Sequence, residues 1–140
     1  MRDSTVKWLS RLHSGIYRFT GGRIGTRLVD NDMLLLTTTG RTTGSPHTVP
    51  LLYLMDGSDV IVIASYGGRP SDPDWYRNLL VDTTGEVRIG AVSHTVHATT
   101  MDDNERDEWW PRIVHAYSEY ETYQARTDRQ IPVVRLAATG

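Results

Sequence analysis

The sequence contains no cysteine, and its 140 residues carry nearly balanced charge. Without a thiol the chain has no disulfide, thiolate zinc site or cysteine nucleophile, and this composition fits a reducing cytoplasm. The net charge of −2 gives no reason to expect a nucleic-acid-binding protein. No apolar run is long enough to span a membrane, and the N-terminus lacks the apolar core of a signal peptide. A single-domain cytoplasmic protein is therefore predicted.

Several common catalytic motifs are also missing. There is no His-Glu-x-x-His pair, and His94 and His97 should point to opposite faces of a strand, so no metal site is predicted. A serine hydrolase is disfavoured because the Gly-x-Ser-x-Gly elbow is absent. The segment GRTTGS at residues 40–45 is not a Walker phosphate loop, since it lacks the lysine and joins two predicted strands. These absences disfavour metal hydrolases, serine hydrolases and P-loop nucleotide hydrolases.

Basic residues concentrate near the N-terminus. Residues 1–30 hold six Arg or Lys and two Asp, a local charge of +4, which leaves −6 for the remainder. Apolar residues from Trp8 to Phe19 recur every three or four positions, which predicts an amphipathic N-terminal helix. Such a helix can simply be solvated, or it can lie on anionic lipid at the inner face of the plasma membrane. Both interpretations stay open.

Beyond residue 30, short apolar runs alternate with turn signals. Strands are predicted at 33–38, 49–55, 60–64 and 131–136, with a hairpin over 83–100. Helices are predicted at 74–81, from 102 to about 117, and at 119–126. Asp72 is expected to cap the first helix, Asp102 with Glu105 to form a capping box on the second, and Pro111 to kink or divide the second.

This order of elements predicts a mainly β fold with peripheral helices (α+β). A small antiparallel barrel is the expected architecture, because most of the strands are linked as hairpins. Residues 1–30 are assigned to the N-terminal helix and connector, and residues 31–140 to the barrel, within one domain overall.

The connection between the first two predicted strands is rich in glycine, threonine and proline, with one basic residue, Arg41. Exposed backbone N–H groups, hydroxyls and one guanidinium together suit a phosphate or a carboxylate. The same composition also fits a long hairpin loop with a surface arginine. Both interpretations are retained.

Two further features allow more than one interpretation. Ser65 ends a predicted strand just before Gly67 and Gly68, where its hydroxyl can bond the turn or line a pocket. Three tyrosines follow at spacing three, namely Tyr117, Tyr120 and Tyr123. They can pack in the core, or they can form the wall of a pocket for a flat aromatic ligand.

Three long stretches together resemble a known family. They are LLLTTTGRTTGSPHTVPLLY at 34–53, VIVIASYGGRPSDPDWYRNL at 60–79 and YSEYETYQARTDRQIPVVRL at 117–136. They are similar to the deazaflavin (F420)-dependent nitroreductase family of actinobacteria, over about residues 33–136. The resemblance implies a split β-barrel of the flavin-reductase type that uses coenzyme F420 instead of flavin mononucleotide (FMN). The implied activity is hydride transfer from ring carbon C5 of the reduced deazaflavin to a quinone, nitroaromatic or enone.

The resemblance also implies roles for particular residues. For the phosphate and tail of the cofactor these are Arg41, Thr42, Thr43, Gly44 and His47. For the deazaflavin ring they are Val49, Pro50, Leu51, Ala64, Ser65, Tyr66, Asp74 and Trp75. The substrate side comprises Ser65, Trp75, Tyr117, Tyr120 and Tyr123, of which Ser65 and Tyr117 are the expected catalytic hydrogen-bond donors.

The chain departs from the family pattern in its charges. Members often carry lysine where Thr42 stands and arginine where His47 stands, and some carry lysine where Tyr66 stands. Each exposed charge contact is worth on the order of 0.2–1 kcal/mol, so weaker binding of an anionic cofactor is predicted. Arg69 and Arg77 are the candidates to compensate.

Two other functions stay open beside an F420-dependent quinone or nitro reductase. In one, the barrel binds F420, a fatty acid or another flat ligand without turnover. In the other, the same fold is a reductase that uses FMN. The expected partner of a reductase is a small-molecule substrate, and the sequence makes no prediction of the oligomeric state.

Overall fold

The computed structural model describes residues 33–139. The sheet they form is antiparallel at every strand pair. Its strands are β1 (Met33–Thr39), β2 (Pro46–Leu52), β3 (Leu54–Asp56), β4 (Asp59–Ile63), β5 (Thr84–Ile89), β6 (Val92–Thr100) and β7 (Val133–Ala138). The helices are α1 (Asp74–Val81), α2 (Asp103–Ala116) and α3 (Glu119–Ala125), and Tyr66–Gly68 form a 3-10 turn.

The predicted N-terminal helix of residues 1–30 and its membrane contact lie outside the described residues. Between residues 33 and 139, no helix has the length and apolarity needed to cross a membrane.

The strand order explains how the sheet curls. The strands lie side by side in the order β2-β1-β5-β6-β7-β4-β3. The two ends of this order, β2 and β3, are consecutive in the chain and separated only by Tyr53. A chain that leaves one edge and joins the other must roll the sheet, and β2 accordingly approaches β4. The predicted antiparallel split β-barrel is confirmed. The single strand predicted at 49–55 is wrong, because its two halves form separate strands at opposite edges of the sheet.

Alternation along the strands gives the sheet two buried faces. Val60 and Val62 of β4 face the interior cluster, to which α1 contributes Trp75. Ile61 and Ile63 belong to a second cluster, formed with residues of α2, α3 and β7. The end of β4 therefore lies between two apolar clusters, and the chain that follows it starts where both are close.

The predicted helix of residues 74–81 is confirmed, but its predicted cap is wrong. Pro73 occupies the N-cap position, and no side chain caps the helix. The Asp72 carboxylate instead accepts a hydrogen bond from Arg129, at 2.8 Å. A charged partner outweighs a local backbone N–H, because hydrogen bonds between ionised groups are about twice as strong.

The second predicted helix is confirmed as α2, and Asp102 caps it as expected. Its Oδ1 accepts the Glu105 N–H at 2.8 Å. Pro111 lies inside this 14-residue helix without dividing it. Trp109 and Ile113, on either side of the proline, are both buried, so their packing holds the two turns together despite the lost hydrogen bond.

Candidate active site

The β1–β2 loop has a defined conformation. The Gly40 N–H donates to the Ser45 carbonyl and the Gly44 N–H to the Gly40 carbonyl, both at 2.8 Å. Gly44 has φ of 77°, a left-handed conformation that glycine adopts without strain. The Ser45 N–H donates to Thr43 Oγ1 at 3.2 Å. These bonds make the loop a compact turn that displays its remaining side chains outward.

Arg41 in this loop is held by α1. Its Nη1 donates to Asn78 Oδ1 at 2.7 Å and its Nη2 to Asp74 Oδ1 at 3.2 Å. The Arg41 backbone N–H donates to the same Asn78 oxygen at 3.2 Å. Asn78, only 3% exposed, donates in turn to Thr38 Oγ1 at 3.0 Å. One buried amide thus fixes both the loop and its cation, while the Arg41 side chain keeps 27% of its surface exposed to solvent.

The other loop candidates surround Gly40. A Cβ built on Gly40 would lie 2.7 Å from His47 Nε2 and 3.0 Å from Thr43 Oγ1. His47 and Thr43 therefore both reach the Gly40 backbone, and an alanine at Gly40 would displace them. Thr42 is exposed. The loop residues that the resemblance assigns to an anionic group lie together in space.

All but one of the apolar candidates for the ring lie in or against one apolar cluster. Val49 and Leu51 of β2 pack against the interior cluster that contains Ala64 and Trp75. Pro50 is opposite Leu35 in the register and so lies on the other face of β2. Because β2 is an end of the strand order, one row of its backbone groups points away from β1.

The turn after β4, residues Ser65–Gly68, has an uncommon backbone. Tyr66, Gly67 and Gly68 have φ of 50°, 64° and 79°, and a side chain in this region is strained. A Cβ on Gly68 would lie only 2.5 Å from the Tyr123 carbonyl oxygen. The turn is therefore pressed against the backbone of α3 and has no room there for a larger residue.

Arginine side chains hold the carbonyls of this turn. Arg129 donates to the carbonyls of Ala64, Ser65 and Arg69, at 3.2, 2.6 and 2.8 Å. Arg126 donates to the Gly67 carbonyl at 3.2 Å. Burial lowers the pKa of the Arg129 guanidinium, and the negative charge of the Asp72 carboxylate offsets part of this shift. Arg129 stays charged at neutral pH, because an arginine side chain does not lose its proton there.

The three tyrosines form an edge-to-face series. Ring centroids are 6.0 Å apart between Tyr117 and Tyr120, and 5.8 Å apart between Tyr120 and Tyr123. Tyr120 and Tyr123 are each 6% exposed, and burial raises the pKa of the Tyr120 phenol. The Tyr117 hydroxyl donates to the Tyr53 carbonyl at the corner between β2 and β3, at 2.9 Å.

The structure does not bring Trp75 against these tyrosines. Trp75 belongs to the interior cluster, whereas Tyr120 and Tyr123 belong to the cluster on the other face of β4. Ser65 lies between the two groups, because it follows Ala64 of the interior cluster and its turn touches Tyr123 through Gly68. Ser65 is therefore the candidate substrate residue that neighbours members of both clusters.

Arg69, one of the two arginines expected to compensate for missing basic residues, lies close to Tyr66, where some family members carry lysine. The Arg69 guanidinium carbon is 4.7 Å from the centroid of the Tyr66 ring, and Nη1 donates to the Tyr66 hydroxyl at 3.4 Å. Arg77 is exposed on α1. A positive charge is therefore present next to Tyr66, supplied from three residues further along the chain.

Sequence reasoning missed three residues that shape the site, Asn78, Arg126 and Arg129. Asn78 is polar at a position where α1 turns its apolar side, with Trp75 and Leu79, toward the barrel. That mismatch was a readable signal of a buried hydrogen-bonded amide. The two arginines lie in the third segment that carries the resemblance, but no local pattern indicated their role, because their partners lie 57 to 65 residues away in the sequence.

The described residues form a cleft beside the candidate loop but no metal site. Residues 33–139 contain no group of three His, Cys, Asp or Glu side chains placed to hold a metal ion. A cleft of about 280 Å³ lies beside Gly44 and is lined largely by threonines of β1, β5 and β6. Gly44 is its one contribution from the candidate residues.

Comparisons with known proteins identify the family of the chain. Residues 8–137 match the family described as F420H(2)-dependent quinone reductase. An F420H(2)-dependent quinone reductase of Mycobacterium tuberculosis (strain H37Rv) is 40% identical over 134 residues, 91% of this chain and 89% of the relative. The solved structure of an F420-H2 dependent reductase (FDR-A) has a TM-score of 0.69 and 36% identity, covering 75% of this chain and 93% of its own.

A second solved structure, described as a domain-swapped dimer, has a TM-score of 0.72 and 32% identity, covering 94% of this chain and 98% of its own. The family match extends over most of the barrel and over the three segments that build the candidate site. This chain belongs to the F420H2-dependent quinone reductase family.

Proposed function

We propose that this protein is an F420H2-dependent oxidoreductase that reduces a small planar electrophile of the quinone type. The observation that carries the proposal is the family match over residues 8–137. Relatives at 40% identity bear the name F420H2-dependent quinone reductase, and they are matched over most of their own length.

The residues of the candidate site fit an anionic deazaflavin. Arg41 offers a partly exposed side chain in the same loop as the hydroxyls of Thr42 and Thr43, a donor set suited to a phosphate. Val49 and Leu51 on an end strand, next to Ala64, offer an apolar surface with backbone groups at its border. When bound, reduced F420 supplies the hydride from ring carbon C5.

The chain's own contribution is to position the reactants and to stabilise charge. Arg41, fixed by Asn78, would bind the phosphate, and β2 with residues 64–66 would orient the ring. Ser65 and Tyr117 would donate to the oxygen on which negative charge develops. The Tyr117 hydroxyl must first leave the Tyr53 carbonyl, to which it donates. Ser65 is therefore the stronger candidate for the first donor.

A titration with two cofactors tests the proposal. Purified protein is titrated separately with F420 and with FMN, and binding is followed by fluorescence. We expect F420 to bind and menadione to oxidise reduced F420 in a protein-dependent reaction. Tight FMN binding without an F420 signal would replace the proposal with a flavin-dependent reductase. F420 binding without menadione-dependent oxidation would replace it with a passive binder.

Peripheral membrane contact by residues 1–30 belongs to the same proposal and rests on their charge of +4. Binding to anionic vesicles but not to neutral ones would support it, and equal behaviour toward both would remove it.

A further inference from the structure

We propose that Arg129 is the positioning residue of the active site, because it sets the direction in which Ser65 faces. The catalytic part of this inference rests on the proposed function. Its structural part, that Arg129 holds the turn in shape, stands on the contacts within the chain.

Arg129 engages two consecutive peptide groups. Its Nη1 binds the Ala64 carbonyl and its Nη2 the Ser65 carbonyl. The N–H of a trans peptide points away from its carbonyl, and all peptide bonds of the described residues are trans. The N–H groups of Ser65 and Tyr66 therefore point away from the guanidinium. By fixing two carbonyls, Arg129 fixes the side of the turn from which donors can reach a ligand.

The turn needs such support because its conformation is strained. Tyr66 has φ of 50° and is followed by two glycines that are also left-handed. A non-glycine residue in this region is strained and persists only when surrounding contacts impose its conformation. The carbonyls on both sides of Tyr66 are held by arginines, Ser65 by Arg129 and Gly67 by Arg126.

Arg129 is itself fixed at both ends. Its guanidinium binds the Asp72 carboxylate at 2.8 Å, and its carbonyl accepts from Gln124 Nε2, also at 2.8 Å. The Gln124 Oε1 accepts from Arg106 Nη2 at 2.9 Å and from the Ile131 N–H at 2.9 Å. A chain of hydrogen bonds thus connects α2 and α3 with the Ser65 turn, and it fixes the guanidinium that supports the turn.

The chain offers a matched control in Arg135. This arginine is also ion-paired and mostly shielded, and it binds Asp56, Asp59 and Glu105. Its partners belong to the β3–β4 hairpin and to α2, and none of them belongs to the Ser65 turn. Substituting Arg135 removes a comparable ion-pair network without touching the carbonyls of residues 64–69.

The experiment compares R129Q, R129K and R135Q. Hydrogen–deuterium exchange of the ligand-free proteins reports on residues 64–70, and kcat and KM are measured with reduced F420 and menadione. We expect R129Q to accelerate exchange in this segment and to lower kcat about 10- to 100-fold, because small misplacements at a reacting centre have effects of this size. R129K should change both in the same direction, since one ammonium cannot span three carbonyls and a carboxylate. R135Q should change neither.

Wild-type exchange and wild-type kcat in both Arg129 variants would overturn the inference. So would an equal loss of kcat in R135Q, because the effect would then be one of general stability. Should R129Q fail to fold, R129K carries the test. If the wild-type protein had no F420 activity, the proposed function would be wrong. The exchange measurement uses no cofactor, so it would still show whether Arg129 holds the turn in shape.

Discussion

The β1–β2 loop and the Ser65–Gly68 turn both depend on arginine, but the two segments use it in opposite ways. Arg41 lies beside one amide and one highly exposed carboxylate, and 27% of its side chain stays exposed. Arg129 directs its donors to three carbonyls and a carboxylate of its own chain. The first arrangement leaves charge available to a ligand, and the second uses charge to impose a shape on the backbone.

The glycines of the two segments show the same difference. Gly44 and Gly68 have nearly the same φ, 77° and 79°. A Cβ on Gly44 would meet nothing within 4 Å, whereas one on Gly68 would collide with the Tyr123 backbone. The loop therefore has open space at its left-handed glycine, while the turn is packed against α3 at its own.

Alanine at these two glycines should give the largest difference between the segments. Gly44→Ala carries only the left-handed penalty of about 1–2 kcal/mol. Gly68→Ala carries that penalty and also an overpacking cost of about 1–3 kcal/mol, because the backbone of α3 must move. We expect Gly68→Ala to reduce the free energy of unfolding by about twice as much as Gly44→Ala. Urea denaturation of the two variants measures the difference, and equal losses would show that α3 yields easily at Tyr123.

The second prediction concerns Asn78, on which the loop depends as the turn depends on Arg129. Asn78→Leu keeps the approximate volume but leaves the Thr38 hydroxyl and two Arg41 donors without their partner. Loss of a buried hydrogen-bonding partner costs about 1–3 kcal/mol. We expect the free energy of unfolding to fall by this amount in urea denaturation, and F420 affinity to fall because Arg41 loses its fixed position.

Asn78→Asp is the matched control for this prediction. A carboxylate still accepts from Arg41, and the Thr38 hydroxyl can donate to it. F420 affinity should therefore stay closer to the wild-type value in Asn78→Asp than in Asn78→Leu. Wild-type affinity in Asn78→Leu would mean that the position of Arg41 does not depend on this amide.

Local patterns predicted most of the fold, and the exceptions are informative. Alternating apolar residues located the strands, and the turn signals located the hairpins. The predicted strand at 49–55 was wrong at Tyr53, because closure of the barrel sends its two halves to opposite edges. Asp72 was wrongly assigned as a cap for a similar reason, since Arg129 competes for its carboxylate from 57 residues away. Both errors come from contacts that a local pattern does not contain.

For the candidate site, the sequence predicted which segments take part but not how their aromatic side chains are arranged. The three segments that resemble the family contain the loop, the Ser65 turn and the tyrosines, and the structure places the Arg41 loop against α1. The sequence did not predict that Trp75 and the tyrosines are separated, because this depends on which face of β4 each of them packs against. Trp75 lies on one face and Tyr120 with Tyr123 on the other. The ligand roles of these residues stay predictions.

Asp74, which the resemblance assigns to the cofactor site, should give the smallest effect of the three sites. Its carboxylate is 3.2 Å from Arg41 Nη2 and 82% exposed, so it shares the guanidinium with any anion that binds there. An exposed ion pair contributes about 0.2–1 kcal/mol, and Asp74→Asn should therefore change stability little. If the phosphate of F420 uses Arg41, removing this competitor should raise F420 affinity by about two- to fivefold at low salt and less at high salt.

Glu108→Gln on α2 makes the same change of net charge away from Arg41 and is the control for Asp74→Asn. Fluorescence titration with F420 at two salt concentrations measures both variants. A gain confined to Asp74→Asn would mean that Asp74 restrains the outward-facing arginine, whereas equal gains would indicate net charge alone. A loss in Asp74→Asn would mean that the carboxylate itself holds the cofactor. The β1–β2 loop would then bind its ligand through an acid–base pair and not through a single available cation.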